Sequence, residues 1–170
     1  MVLVIGIDPG KKGGISRIDT EEPSRPVQAV PLFYNTKTKE LDVHACMDFL
    51  EAVEPTLIII EHQQARPMQG KSGAIMMKDY GGLLACCRLS SPLKGVIEVK
   101  PRDWQKVIIP NALPKQSKQA SIEHVLQCYP EVTVPQTPRS KVYHDGVTDS
   151  VCLAEYGVRM LLPGFNPIDL

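Results

Sequence analysis

Four carboxylates stand where the chain's own pattern could bring them together. Asp8 follows the apolar, β-branched run Val2–Ile7, and Glu61 follows a second fully apolar run, Leu57–Ile60. Both runs suit buried strands. If those strands are neighbours, the two carboxylates lie side by side. Asp145 and Asp149 are four apart at the start of a predicted helix, Asp145–Leu162, and so share one face. Like charges at that spacing repel by roughly a few tenths of a kcal/mol, partly offset by the positive end of the helix dipole. Clustered carboxylate oxygens suit Mg²⁺ or Mn²⁺, hard cations that keep part of their water shell for substrate phosphate. Two such ions about 4 Å apart activate a water and stabilise the leaving oxygen of a phosphodiester in an in-line displacement. Each residue also has a plain structural alternative: Asp8 as the opening of a β-turn, Glu61 as a solvated strand end, Asp145 as a helix cap.

The elements that must position these groups alternate in type. Val2–Ile7, Gly14–Ile18 and Val27–Phe33 read as an antiparallel meander of three strands. A helical stripe over Asp42–Val53 follows, then the Leu57–Ile60 strand, a glycine-bearing helix over Ser72–Leu89 and a strand over Val96–Val99. Pro101 is placed to start a short helix to Ile108; Lys115–Cys128 is a longer one; the final helix carries Val151, Ala154, Val158 and Leu161 on one face. This is an α/β chain with a mixed five-stranded sheet, the meander plus two parallel strands, flanked by helices. At 170 residues it forms one domain, 1–170. Strand ends in such open sheets gather at one edge, where sites form.

Charge tells two stories. Over the whole chain, 19 basic and 19 acidic side chains give zero net charge, which argues against a nucleic-acid partner. By segment, residues 1–61 carry 6 basic and 10 acidic groups (−4), residues 62–141 carry 12 and 5 (+7), and residues 142–170 carry 1 and 4 (−3). A basic middle between acidic ends fits a polyanion partner, with a solvated surface as the alternative. Removing the four candidate ligands leaves 19 − 15 = +4, concentrated in that middle. No run of 18 apolar residues exists to span a membrane, and MVLVIGID lacks a basic region ahead of it. Five cysteines without a C-x-x-C repeat read as buried thiols in a reducing compartment. A cytoplasmic location is therefore expected, with a mature organellar protein, its transit peptide removed, as the alternative.

Ile5-Gly6-Ile7-Asp8-Pro9-Gly10, Gly13-Gly14, Ile58-Ile59-Ile60-Glu61 and His144-Asp145-Gly146-Val147-Thr148-Asp149-Ser150, with Leu153-Ala154-Glu155-Tyr156-Gly157 following, resemble the RuvC-like Holliday junction resolvases. The compact branch from phages and chloroplasts is the nearest in pattern, and the resemblance runs from residue 2 to about 162. It implies an RNase H-like fold and a homodimeric endonuclease that binds four-way DNA junctions and nicks two opposed strands symmetrically. Mg²⁺ or Mn²⁺ would serve it, two per site, with no nucleotide cofactor and no membrane. Carried over by position, Asp8, Glu61, Asp145 and Asp149 match the acidic metal-binding tetrad. The last pair is spaced by four where bacterial RuvC has three, which leaves His144 as an alternative ligand to Asp145. The segment His62–Lys71, containing Arg66, takes the place of the junction-contacting loop.

Lys115-Gln116-Ser117-Lys118 resembles the segment that brings a lysine near the scissile phosphate, Lys118 first and Lys115 second. Arg66, Lys71, Lys78, Lys100, Arg102, Lys106, Lys115 and Lys118 are the expected phosphate contacts, which supply affinity without sequence information. His44 and His124 have no partner at ligand spacing and read as ordinary helix residues. Met76-Met77 with Leu83-Leu84 reads as core or dimer packing, and Trp104 as the anchor of its short helix. Two other readings compete. A sugar-kinase-like ATPase also begins with a strand and an Asp-x-Gly turn but needs a second domain. A non-catalytic dimeric DNA-binding module of the same fold would use the acidic cluster structurally.

Overall fold

The computed structural model describes residues 2–21, 27–52, 54–65, 70–113, 115–136 and 143–166. The order is β1 (Leu3–Asp8), β2 (Gly14–Asp19), β3 (Val27–Pro31), α1 (Val43–Glu51), β4 (Leu57–Glu61), α2 (Gly70–Leu89), β5 (Val96–Val99), α3 (Pro101–Ile108), α4 (Ser117–Cys128) and α5 (Asp145–Leu161). The expected element types all form. The strands make one sheet in the order β3-β2-β1-β4-β5, with β1–β2 and β2–β3 antiparallel and β1–β4 and β4–β5 parallel. The meander and the two parallel strands of the sequence reading are thus both present.

Side chains alternate across the sheet, as a period of two requires. Leu3, Ile5, Ile7, Ile58 and Ile60 join Cys46, Leu50, Leu83 and Cys87 in a core beneath α1 and α2. Val4, Leu57 and Ile59 face the other way, into a core with Trp104, Val125, Val151 and Val158 from α3, α4 and α5. Ile7 pairs with Ile60 in the parallel register. Counting on by two, Asp8 continues the row Val4, Gly6, and Glu61 continues Leu57, Ile59. Both carboxylates therefore face α5 from adjacent strand ends.

Glycines set how closely α5 approaches. A Cβ at Gly6 would overlap the Ser150 carbonyl and the Ala154 amide, and one at Gly146 would overlap the Lys12 carbonyl and the Gly13 backbone. Gly13 and Gly146 are joined by a bridge. The start of α5 lies directly against the β1–β2 turn because neither partner carries a side chain there. That contact brings Asp145 and Asp149 to Asp8.

Element ends fall within two residues of the expected ones, and one boundary and one packing expectation differ for local reasons. Lys115 has φ of +69°, in the left-handed region, so it stands outside α4, which starts at Ser117. On α2, Leu83 is buried core, but Met77 and Ile75 are exposed at 36% and 48%, so only part of the apolar stripe packs within the chain. All five cysteines are free. Among the described residues no helix is long and apolar enough to cross a membrane.

Candidate active site

Asp8 is half-buried at the end of β1, and burial, then Glu61, Asp149 and Asp145 in that order, push its carboxyl well above the ordinary range. Lys118 is the one charge that pulls the other way. Glu61 is also raised by burial, against the opposing pull of Trp104, whose indole Nε1 donates to Glu61 Oε2 at 2.9 Å. Asp149 is pushed up to about 7, first by burial, with Glu61 and Asp145 adding to it and a hydrogen bond from Ser121 opposing. At Asp145 burial is again the largest single influence and pushes upward, but the Lys118 ammonium and the local backbone outweigh it and the carboxyl ends below its usual value. The four sequence-predicted carboxylates thus share one electrostatic environment, in which Lys118 lowers Asp8, Asp145 and Asp149.

Lys118 donates from Nζ to Asp145 Oδ2 in a short contact, which, ahead of its other carboxylate neighbours, holds the ammonium above its usual pKa. Lys115 goes elsewhere. With Arg102, Lys106 and the apolar residues Ile109, Pro110, Ala112 and Leu113 it lines a separate groove of about 420 Å³ between α3 and α4. His144, the alternative ligand, is the N-cap of α5: the Val147 N–H donates to its Nδ1 at 3.3 Å. The cap is therefore His144, and Asp145, in the first turn, is free to face the site. Lys71 and Lys100 are exposed, while Lys78 pairs with Glu40 at 3.1 Å on the surface. Arg66 lies outside the described residues.

Three partners were not singled out in the sequence as site residues. Trp104 is fully buried, as its anchoring role implies, but its indole N–H is also what orients Glu61. Ser121, wholly buried, reaches both Thr148 and Asp149 from one helical turn beyond Lys118. His124 lies within α4 as expected, and in addition its Nε2 lies 2.6 Å from Glu155 Oε2. A charged residue inside the apolar stripe of α5, Glu155 in Leu153-Ala154-Glu155-Tyr156, was the available signal for the last of these.

The donor set is all oxygen, which suits a hard divalent cation. Among the described residues, no three acidic, His or Cys side chains stand at the spacing of a closed metal cage. Glu61 is drawn toward Trp104 and Asp145 toward Lys118, so the carboxylates sense one another without converging on one point. Mg²⁺ needs no such cage, because it takes one or two carboxylates and completes its shell with water and phosphate oxygens. The residues present fit that cation.

The mixed 3-2-1-4-5 sheet flanked by helices is an α/β fold that matches RNase H-like resolvase structures. Solved structures carry the same likeness. Thermus thermophilus RuvC in complex with Holliday junction substrate matches with a TM-score of 0.61 at 15% identity, over 94% of this chain and 96% of that one. Fowlpox virus resolvase in complex with junction DNA matches at 0.52 and 16%, over 95% and 99%. The yeast mitochondrial Holliday junction resolvase Ydc2 matches at 0.50 and 16%, over 92% and 77%. Neither a family model nor a curated protein matches the sequence.

Proposed function

We propose that this chain is a divalent-metal-dependent endonuclease that resolves four-way DNA junctions by paired nicking. The observation that carries the proposal is the electrostatic coupling of Asp8, Glu61 and Asp149, all raised by burial, beside Asp145 and its partner Lys118 at one sheet edge. The likeness to resolvase folds supports the choice of substrate. Asp8, Glu61, Asp145 and Asp149 would hold one or two Mg²⁺ or Mn²⁺ ions, which supply charge to activate water and to stabilise the leaving oxygen.

The protein's own groups do the rest. Trp104 orients Glu61, and Ser121 holds Asp149. Lys118, 75% exposed at its side chain, offers a proton donor and a positive charge to a phosphate docked over the carboxylates. Arg102, Lys106 and Lys115 line the neighbouring groove and would take backbone phosphates of the same strand, with the exposed Lys71 and Lys100 as further phosphate contacts. Lys78 has Glu40 as a competing partner. Paired nicks need two sites, and a homodimer through α2 is supported by its exposed Ile75 and Met77 beside an apolar cavity of about 240 Å³ lined by Tyr34, Ile75, Met76 and Leu83.

The test is incubation of a labelled four-way junction with the protein, with and without Mg²⁺. Symmetric metal-dependent nicks are expected. Binding without cleavage in Mg²⁺ or Mn²⁺ would overturn the enzyme reading in favour of a binding module.

A further inference from the structure

Lys118 has little of its own to hold it in place. Its side chain is 75% exposed and, among the described residues, its hydrogen-bond partner is Asp145. Where its ammonium stands is therefore set by where α4 begins relative to α5. Along the contact between these helices the polar pairs ascend together: Lys118 with Asp145, Ser121 with Thr148 at 3.4 Å, His124 with Glu155 at 2.6 Å. The helices run side by side in the same direction, and Lys118, Ser121 and His124 are spaced by threes on one face.

The last of these pairs belongs to a buried network. Glu155 is completely buried, while His124 and Arg159 are 15% and 32% exposed at their side chains. The two side chains take opposite oxygens of its carboxylate, His124 beside Oε2 and the Arg159 guanidinium, one turn on, beside Oε1. Tyr129, 1% exposed at the end of α4, stacks edge-on against His124, and Cys128 Sγ lies 3.8 Å from His124 Nδ1. The apolar residues of the same face, Ile122 and Val125, exclude water but impose no direction. Apolar contacts tolerate a small slide or rotation of one helix on another, whereas a short, directed hydrogen bond to a buried carboxylate does not.

We propose that Glu155 and His124 are positioning residues for the active-site lysine: their buried pair locks the register of α4 on α5 and thereby sets Lys118 over Asp145 and Ser121 against Asp149. Neither residue touches the carboxylate site; both act through the helix. The inference rests on the nuclease reading for its catalytic consequence, but not for its structural one.

The test uses the full chain carrying Glu155→Gln. The variant is expected to fold, to bind a four-way junction with unchanged affinity, and to cleave a saturating junction about 10- to 100-fold more slowly, the cost of a small misplacement of a reacting group. In a Lys118→Ala background, Glu155→Gln should cost less than twofold more, because the residue acts only through the lysine. In parallel, the side-chain ammonium resonance of Lys118 in metal-free protein, slowed in exchange by its pairing with Asp145, should be visible in the wild type and lost in Glu155→Gln. If Glu155→Gln does not fold, His124→Gln carries the same expectations with less disruption. Full cleavage by the folded variant, multiplied losses in the double variant, or an unchanged ammonium resonance overturns the proposal. Absence of junction cleavage by the wild type would defeat the nuclease reading, leaving the resonance to decide the positioning.

Discussion

Replacing Asp149 by Asn should make the metal-free protein more stable while removing a ligand. Asp149 titrates near 7 in the fold against an ordinary value of 3.8, burial being the chief cause. A buried acid raised in this way stabilises nothing when ionised: the fold is favoured below pH 4, where the carboxyl is protonated in both states, and loses stability as pH rises to about 7. Each pH unit between those values is worth about 1.36 kcal/mol, so ionised Asp149 costs the metal-free fold about 4 kcal/mol at pH 7 and above, and about 1.5 kcal/mol at pH 5. Asparagine keeps an oxygen for Ser121 but buries an amide, which costs about 1–2 kcal/mol. The net gain at pH 8 is about 2 kcal/mol, or about 5 °C in Tm for a chain of this size. At pH 5 it falls to about zero. Urea or thermal unfolding in a chelator, at both pH values, measures this. Adding Mg²⁺ should then stabilise the wild type at pH 8 and the variant much less, since a cation bound only by the fold adds RT ln(1 + [L]/Kd). A variant no more stable than the wild type at pH 8 in chelator, or one with equal gains at both pH values, would refute the reasoning that unrelieved charge at Asp149 awaits a cation.

Asp8→Asn should bind junctions with near-wild-type affinity and lose cleavage, read by gel shift and nicking assays on the same preparation; retained cleavage would remove Asp8 from the metal site. Lys118→Ala should slow cleavage at saturating junction more than it weakens binding, and an equal loss in both would make it a simple phosphate contact. Converting Arg102, Lys106 and Lys115 together to Ala should weaken binding and reduce the slope of log K against log salt by about 2–3, at roughly 0.9 per phosphate contact; an unchanged slope would place the DNA elsewhere. Gly6→Ala should destabilise the fold by about 3 kcal/mol, at the upper end for overpacking, because its methyl meets the backbone of α5, which cannot move like a side chain. Circular dichroism melting checks this, and a Tm within a few degrees of the wild type would mean that α5 is not held so close.

The carboxylate frame was legible before any coordinates. Alternation along a strand has a period of two and is a local property, so Val4-Gly6-Asp8 and Leu57-Ile59-Glu61 already place both carboxylates on one face once the strands pair. Helical spacing did the same for Asp145 and Asp149, and the mid-chain run of basic residues contains the groove residues that the proposal assigns to phosphate. The glycines of Ile5-Gly6-Ile7 and Asp145-Gly146-Val147 were visible as motif residues, though the close approach of β1 to α5 that they permit was not.

Choices between neighbours in sequence needed the tertiary structure. The sequence ranks Lys118 ahead of Lys115 but does not separate their surroundings; a left-handed backbone at Lys115 and the docking of α4 on α5 send one to the basic groove and the other to Asp145. His144 and Asp145 compete for the same role until the cap of α5 engages the imidazole and leaves the carboxylate outward. The indole bond to Glu61 and the His124–Glu155–Arg159 network join residues 43, 31 and 4 positions apart, and only the last separation falls within the reach of a helical period. Period and propensity act over a turn of helix or a pair of strand residues; which long side chains meet across layers depends on how the layers dock, and that is decided by burial summed over the whole fold.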